Sequence, residues 1–454
     1  MPIQLERDLA EPLQAQLAAQ LRRAIRRGQL APRTRLPSTR TLARVLGVSR
    51  GVAMAAYETL LAEGYVTGLR GSGTYVAGPV PERQAPARPP SSPLIDLRRE
   101  RPSRQAFPLA AWRAAWRRAS HHAPPADEPP ATGLPELRAA IAAYLREARG
   151  LVLDRHEVVV TAGYGEALEL LLRARHGGRP PVIALEDPAP PRLRAAYARL
   201  ATVLPLPTDG AGARPSLIPD GCDVVAVMPE RGNPLGTRMP MERRRELAAW
   251  ARESGGLVLE PALDGLFDAG ANPLPSVLAV GDAAGTAMVG SFCDVLTPAL
   301  WLAFAVVPRG MIGAVEEGAA GQPSFTCQRA VTDLLVSGAV ARRAERLTAL
   351  YAAKRALVRQ ALGAYPDVRL LGADTGAAAT LLLPARIRAE QVLAALRERQ
   401  VAAADLGAFH HPRGARQNGV VLCYGHLDTV TLRRALGVLA RTLDEHRLAR
   451  RTAA

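Results

Sequence analysis

Between residues 158 and 307, seven short β-prone runs alternate with helical stretches, and few folds accommodate that alternation. The runs are 158–161, 181–185, 203–206, 223–228, 256–260, 287–291 and 302–307, with helices predicted over 165–175, 191–200 and 241–253. A strand reached through a helix returns to the same edge and pairs in parallel, so the segment predicts a mostly parallel seven-stranded α/β sheet. Upstream, 110–121 and 135–149 read as helices, the second carrying Leu137, Ile141 and Leu145 on one face. From Ala330 onward, long helices rich in Ala, Leu and Arg and a strand near 377–383 predict a smaller α/β domain.

The first 76 residues follow another pattern. An amphipathic run over 12–27 stops at Gly28. Ser38 is placed to N-cap a helix carrying Leu42, Ala43, Val45 and Leu46 that ends at Gly47, and Ser49 to cap a third over 50–63. Two helices joined by a short glycine turn predict a helix-turn-helix, with the third helix as the recognition helix. Tyr65-Val66-Thr67 and Thr74-Tyr75-Val76 flank Gly71-Ser72-Gly73, which predicts a two-stranded wing and completes an α+β winged helix-turn-helix.

The ordered motifs LPSTRTLARVLGVSR, AYETLLAEGY and GSGTYV resemble the DNA-binding domain of GntR-family transcription regulators. The resemblance implies double-stranded DNA as partner and an interface of Arg35, Ser38, Arg40, Ser49, Arg50, Gly51, Arg70, Gly71, Ser72 and Gly73. Within it, Arg40 is expected at phosphate or base, Ser49 and Arg50 in the major groove, and Arg70 to Gly73 at the minor groove or backbone. The family usually carries polar side chains after Arg50, whereas here stand Gly51, Val52, Ala53 and Met54. Thin direct readout is expected, with thymine methyl contacts or DNA shape contributing instead.

Charge supports the division. The chain of 454 residues carries a net charge of +16, and residues 1–76 hold 11 Arg against 5 Asp or Glu, a net of +6. A DNA-facing module explains that density, and so does the Ala/Arg/Pro/Gly usage of high-GC coding sequence; both readings stand. The segment GPVPERQAPARPPSSP over 78–93 reads as an extended linker. The expected domains are 1–76, a linker over 77–95, and a body over 96–450, its large part about 150–320 and its smaller part 96–149 with 321–450. Cys222, Cys293, Cys327 and Cys423 lack paired spacing, so neither disulfides nor a metal site are expected. His121-His122 and His410-His411 read as solvated loop histidines. No apolar run reaches membrane-spanning length, and a cytoplasmic protein without membrane contact is expected.

The body resembles the aminotransferase-like domain of pyridoxal-phosphate fold type I enzymes, which behind a GntR reader is the architecture of MocR-type regulators. The residues carrying the resemblance are Thr132-Gly133-Leu134-Pro135-Glu136-Leu137-Arg138, Val160-Thr161-Ala162-Gly163, Glu186-Asp187-Pro188, Asn233-Pro234-Leu235-Gly236 and Gly290-Ser291-Phe292-Cys293. Such enzymes need a Schiff-base lysine, a carboxylate for the ring nitrogen and a cation for the phosphate. The resemblance maps these onto Asp294, the Pro261-Ala262-Leu263 segment and Trp301. The chain's only lysine is Lys354, expected on a solvated helix face. What survives is a vestigial pocket of Gly163, Tyr164, Gly165, Asn233 and Ser291, with Asp294 among them. The family's substrate arginine maps onto Val420 or Val421, with Arg416 near enough that a shifted alignment would restore it.

A carboxylate at 294 about 4 Å from a phosphate charge costs roughly 4 kcal/mol at an effective dielectric of 20. The expectation is therefore a DNA-binding transcription regulator whose body is catalytically inactive, binds no pyridoxal 5'-phosphate covalently and forms a homodimer. Three states of the pocket stay open: filled by Trp301 and Leu263, an effector site pairing Asp294 with an amine or amino acid, or noncovalent pyridoxal phosphate. The rival is a pyridoxal-phosphate aminotransferase that carries a DNA-binding domain.

Overall fold

The computed structural model describes residues 3–6, 11–26, 28–69, 73–77, 94–177, 179–262, 274–281, 283–319, 321–363 and 365–448. It divides into two compact units, Met1–Ser92 and Pro93–Ala454.

The first unit has helices α1 (Leu13–Arg26), α2 (Thr39–Leu46) and α3 (Arg50–Ala62), then strands β1 (Val66–Leu69) and β2 (Gly73–Val76). Local chemistry sets the boundaries. The Ser38 hydroxyl accepts the Thr41 N–H at 3.1 Å, and Gly47 closes α2 in the left-handed region, its N–H donating to the Ala43 carbonyl. Ser49 caps α3 by accepting the Val52 N–H at 3.3 Å. The buried face of α3 is Ala53, Ala56, Tyr57 and Leu60, and the alanines let α1 and α2 approach closely around Leu17, Leu21 and Leu42. β1 and β2 pair antiparallel with Leu69 opposite Gly73.

The second unit opens with β3 (Ile95–Asp96), which pairs in parallel with a strand far along the chain, so Ile95 belongs to the body and not to the linker. A central sheet follows, made of β4 (His156–Thr161), β5 (Val182–Asp187), β6 (Thr202–Asp209), β7 (Gly212–Ala213), β8 (Val224–Ala226), β9 (Leu257–Ala262), β10 (Thr286–Ser291) and β11 (Ala303–Pro308). Its order is β4-β11-β10-β9-β8-β5-β6-β7. All seven predicted strands are there; β7 is an added hairpin partner of β6. β10, β9, β8, β5 and β6 run in parallel, and β11 runs antiparallel to both neighbours.

The smaller sheet, order β12-β13-β16-β15, contains β12 (Arg369–Leu371), β13 (Ala378–Leu382), β15 (Ala404–Asp405) and β16 (Gly419–Cys423); β14 (Val401–Ala402) is the partner of β3. One boundary differs from expectation. The helix Pro135–Arg149 was expected in the smaller part, yet Leu137, Ile141 and Leu145 pack with Val158, Val160, Phe292 and Phe304 of the large sheet. Gly133 fixes that docking: it sits at φ +89°, and any side chain there would bring its Cβ to 2.5 Å from the Val160 Cβ.

Candidate nucleic-acid interface and cofactor-like cleft

Arg35, Ser38, Arg40, Ser49, Arg50 and Gly51 are all exposed on the first unit. Arg70, Gly71 and Ser72 lie outside the described residues. Gly73 is described, and the Arg35 guanidinium passes so close that a Cβ there would meet Nε at 3.1 Å, which joins Arg35 to the base of the wing. Two expected readers have a second duty. The Ser38 and Ser49 hydroxyls already accept backbone N–H groups, so what they offer DNA is mainly the helix N-terminus they complete. Other arginines of the unit are engaged elsewhere: Arg22 pairs with Glu63 at 2.6 Å, and Arg26 donates to the Tyr65 hydroxyl at 2.7 Å.

In the second unit β4, β9 and β10 run the same way, so the carboxyl ends of β9 and β10 and the start of helix Tyr164–His176, which follows β4, border one end of the sheet, the cleft side on which open α/β sheets bind ligands. The side that would take a phosphate is engaged internally. Gly163 precedes that helix at φ +100°, but the Glu166 carboxylate folds back to accept the Ala162 N–H. The Ser291 hydroxyl accepts the Cys293 N–H at 3.1 Å. The Tyr164 phenol turns to the Tyr197 hydroxyl at 3.0 Å, and burial raises its pKa well above the ordinary phenol value. Trp301 lies across Gly163 but is 72% exposed, so it caps the cleft edge, which speaks against the open alternative in which it fills the pocket. Leu263 lies outside the described residues.

The ring side is equally occupied. Asn233 donates to Glu100 at 2.8 Å, and Arg231 pairs with the same carboxylate at 3.1 Å. Asp294 lines a cavity of about 50 Å³ with Glu100, Arg231 and Tyr351, and a neighbouring cavity of about 30 Å³ holds Arg149, Glu230, Glu260 and Ala262. Each has room for a few waters, far below the ~300 Å³ of a small-molecule site. Beneath them the fully buried Arg244 meets Glu230 at 2.7 Å, with Arg149 at 3.8 Å. Burial raises the Glu260 carboxyl above its ordinary value, against the pull of Arg149. Sequence reasoning missed Glu100, Arg231 and Arg244, whose partners are distant in the chain or which stand in charge runs, and Glu166, whose partner Ala162 is only four residues away and was legible as a carboxylate in the first turn of a helix.

Two expectations fail, and one alternative left open by the sequence closes. Lys354 is 1% exposed, not solvated: its ammonium donates to the Gly425 carbonyl at 2.7 Å, and burial lowers its pKa to about 8. Its helix, Ala339–Leu362, is packed along most of its length, and the lysine stem fills core space. His410 is also buried, 3.6 Å from Asp187, while the His411 N–H donates to that carboxylate at 2.6 Å. These contacts tie the loop before β16 to the end of β5, which a solvated histidine pair would not do. Arg416 is exposed beside Arg388 and Asp405, away from the residues lining either cavity, so a shifted alignment does not restore a substrate arginine.

The family described as bacterial regulatory proteins, gntR family, matches residues 13–76, and aminotransferase class I and II matches 100–188. The chain is 34% identical over 451 residues to the HTH-type pyridoxine biosynthesis transcriptional regulator PdxR of Corynebacterium glutamicum, covering 97% of this chain and 98% of that one. This chain is a MocR-type GntR-family transcription regulator. The probable rhizopine catabolism regulatory protein MocR of Rhizobium meliloti is 30% identical over 479 residues, 96% of the regulator and 94% of that protein. The multiple substrate aminotransferase of Thermococcus profundus superposes with a TM-score of 0.72 at 20% identity, over 79% of this chain and 93% of that one, a likeness of fold alone. The regulator binds DNA through its winged helix. Among the described residues no helix is long and apolar enough to cross a membrane.

One carboxyl beside the cleft gives the regulator a pH signature. Glu186, at the end of β5, is 2% exposed, and burial raises its pKa from 4.5 to about 7 against the pull of the Met228 and Ala213 amides. A folded-state value above the unfolded one means the native state holds the proton longer, so stability falls as pH rises from about 4.5 to about 7 and stays lower above that. The loss is a few kcal/mol, on the order of 1.4 per pH unit. Glu186→Gln is expected to remove this component in urea denaturation at pH 5 and pH 8; an unchanged difference between the two would refute the assignment.

Proposed function

We propose that the body of this regulator forms no Schiff base and serves as a homodimer scaffold that presents two winged helices to paired half-sites on an operator. The observation that carries this reading is Asp294 at the edge of the cleft, where the resemblance maps the lysine, while the chain's only lysine amine is buried against the Gly425 carbonyl. The residue set does not fit pyridoxal phosphate. Glu166 sets a carboxylate at the helix start where an anion would sit, Glu100 takes Asn233 and Arg231, and Ala262 offers no carboxylate to a ring nitrogen. The cavity beside Asp294 sets Glu100 and Asp294 against Arg101 and Arg231 and holds only a few waters, so an effector such as an amine or amino acid requires the body to open around it.

Incubation of the pure regulator with pyridoxal 5'-phosphate is expected to give no imine absorbance band and no borohydride-fixed adduct. An adduct mapped to Lys354 would overturn the reading. Light scattering after size exclusion is expected to return twice the chain mass, and a monomer at every concentration would remove the scaffold role. A thermal-shift panel of amines and amino acids tests for an effector, since a ligand of the folded form raises its stability.

A further inference from the structure

The outward face of α3 offers DNA few side chains. Ala53, Ala56, Tyr57 and Leu60 turn inward, and the Ser49 hydroxyl is held by the Val52 N–H. Gly51 is exposed but has no side chain. In the first two turns, the part of a recognition helix that meets base edges, the long exposed side chains are Arg50 and Met54. Met54 is 48% exposed, an apolar side chain placed where a soluble unit gains nothing from one. The same unit carries Arg35, Arg40, Arg44 and Arg50, all exposed, which suits a polyanion as its occupant and not another apolar protein face.

We propose that Met54 reads a base alongside Arg50 in this regulator and that it packs on the C5-methyl of a thymine in the major groove. The thymine methyl is the one apolar group on a major-groove base edge, and a thioether stem is long and adaptable enough to cover it. Arg50, four residues earlier, sits about 6 Å away along the helix axis, so its own base contact falls about two base pairs from that thymine. The proposal rests on the winged helix binding DNA in the major groove.

The test uses the full chain and a duplex selected by it from a random pool. Each thymine of that duplex is replaced in turn by deoxyuridine, which deletes only the methyl. One position per half-site is expected to lose about fourfold in affinity, the worth of one buried methyl group at about 0.8 kcal/mol. That loss disappears with Met54→Ala and persists with Met54→Leu, both checked for folding by thermal melts. Uniform indifference to deoxyuridine, or a sensitive thymine that stays sensitive in Met54→Ala, would overturn the proposal. Failure to enrich any duplex would instead overturn the DNA-binding reading beneath it.

Discussion

Replacing Arg244 by methionine is expected to cost the body about 3–5 kcal/mol of stability. Arg244 is fully buried, and its guanidinium is used in every direction: Nε donates to the Met239 carbonyl at 3.0 Å, Nη2 to Pro229 at 2.9 Å and Nη1 to Pro275 at 2.8 Å. The same Nη1 faces the Glu230 carboxylate at 2.7 Å. Methionine conserves much of the volume, so the cost comes from stranding a buried carboxylate and three carbonyls without their donor. Arg149 at 3.8 Å and Arg238 at 3.7 Å remain near Glu230, which places the loss toward the lower end of that range. Adding Glu230→Gln to Arg244→Met should recover part of it, because the pair is coupled through one contact. Urea denaturation followed by tryptophan fluorescence measures both, and a loss below about 1 kcal/mol for the single variant would contradict a structural role for the buried pair.

That arginine marks the limit of what the chain discloses. Helix ends were legible because a serine hydroxyl and a glycine act on amides within a few residues, as at Ser38, Gly47 and Ser49. The seven strands were legible from run length and spacing. The antiparallel direction of β11 also had a signal: the connection between β10 and β11, residues 292–302, contains turns but no α-helix, and without a crossover helix a strand returns antiparallel. Arg244 stands in Arg243-Arg244-Arg245, which reads as a solvated face; only the distant carbonyls of Pro229 and Pro275 distinguish it. Lys354 misled for the same reason, since its burial depends on Gly425, far along the chain. In the cleft, the loss of family residues could be read position by position, whereas their replacement could not. Glu100 reaches Asn233 across more than a hundred residues, and no local pattern announces such a contact.

The largest functional effect is expected at Arg50. Arg50→Ala should weaken binding to a selected operator by about 5- to 150-fold, the ~1–3 kcal/mol of a good base contact, and relax preference at one base pair of each half-site. Its position at the first turn of a helix capped by Ser49 places the guanidinium at the groove end of the winged helix, and it is exposed. The matched control is Arg22→Ala, whose guanidinium is bidentate on Glu63 and therefore already neutralised; its effect should stay within about twofold. Salt dependence separates the two ways Arg50 could act. A base contact leaves the dependence on salt nearly unchanged while specificity falls, whereas a phosphate contact lowers affinity alike for all sequences and reduces the slope by about 0.9. The expected result is the first. Equal losses in Arg50→Ala and Arg22→Ala would mean that net charge, not the recognition helix, governs binding, and the interface assigned to α3 would have to be abandoned.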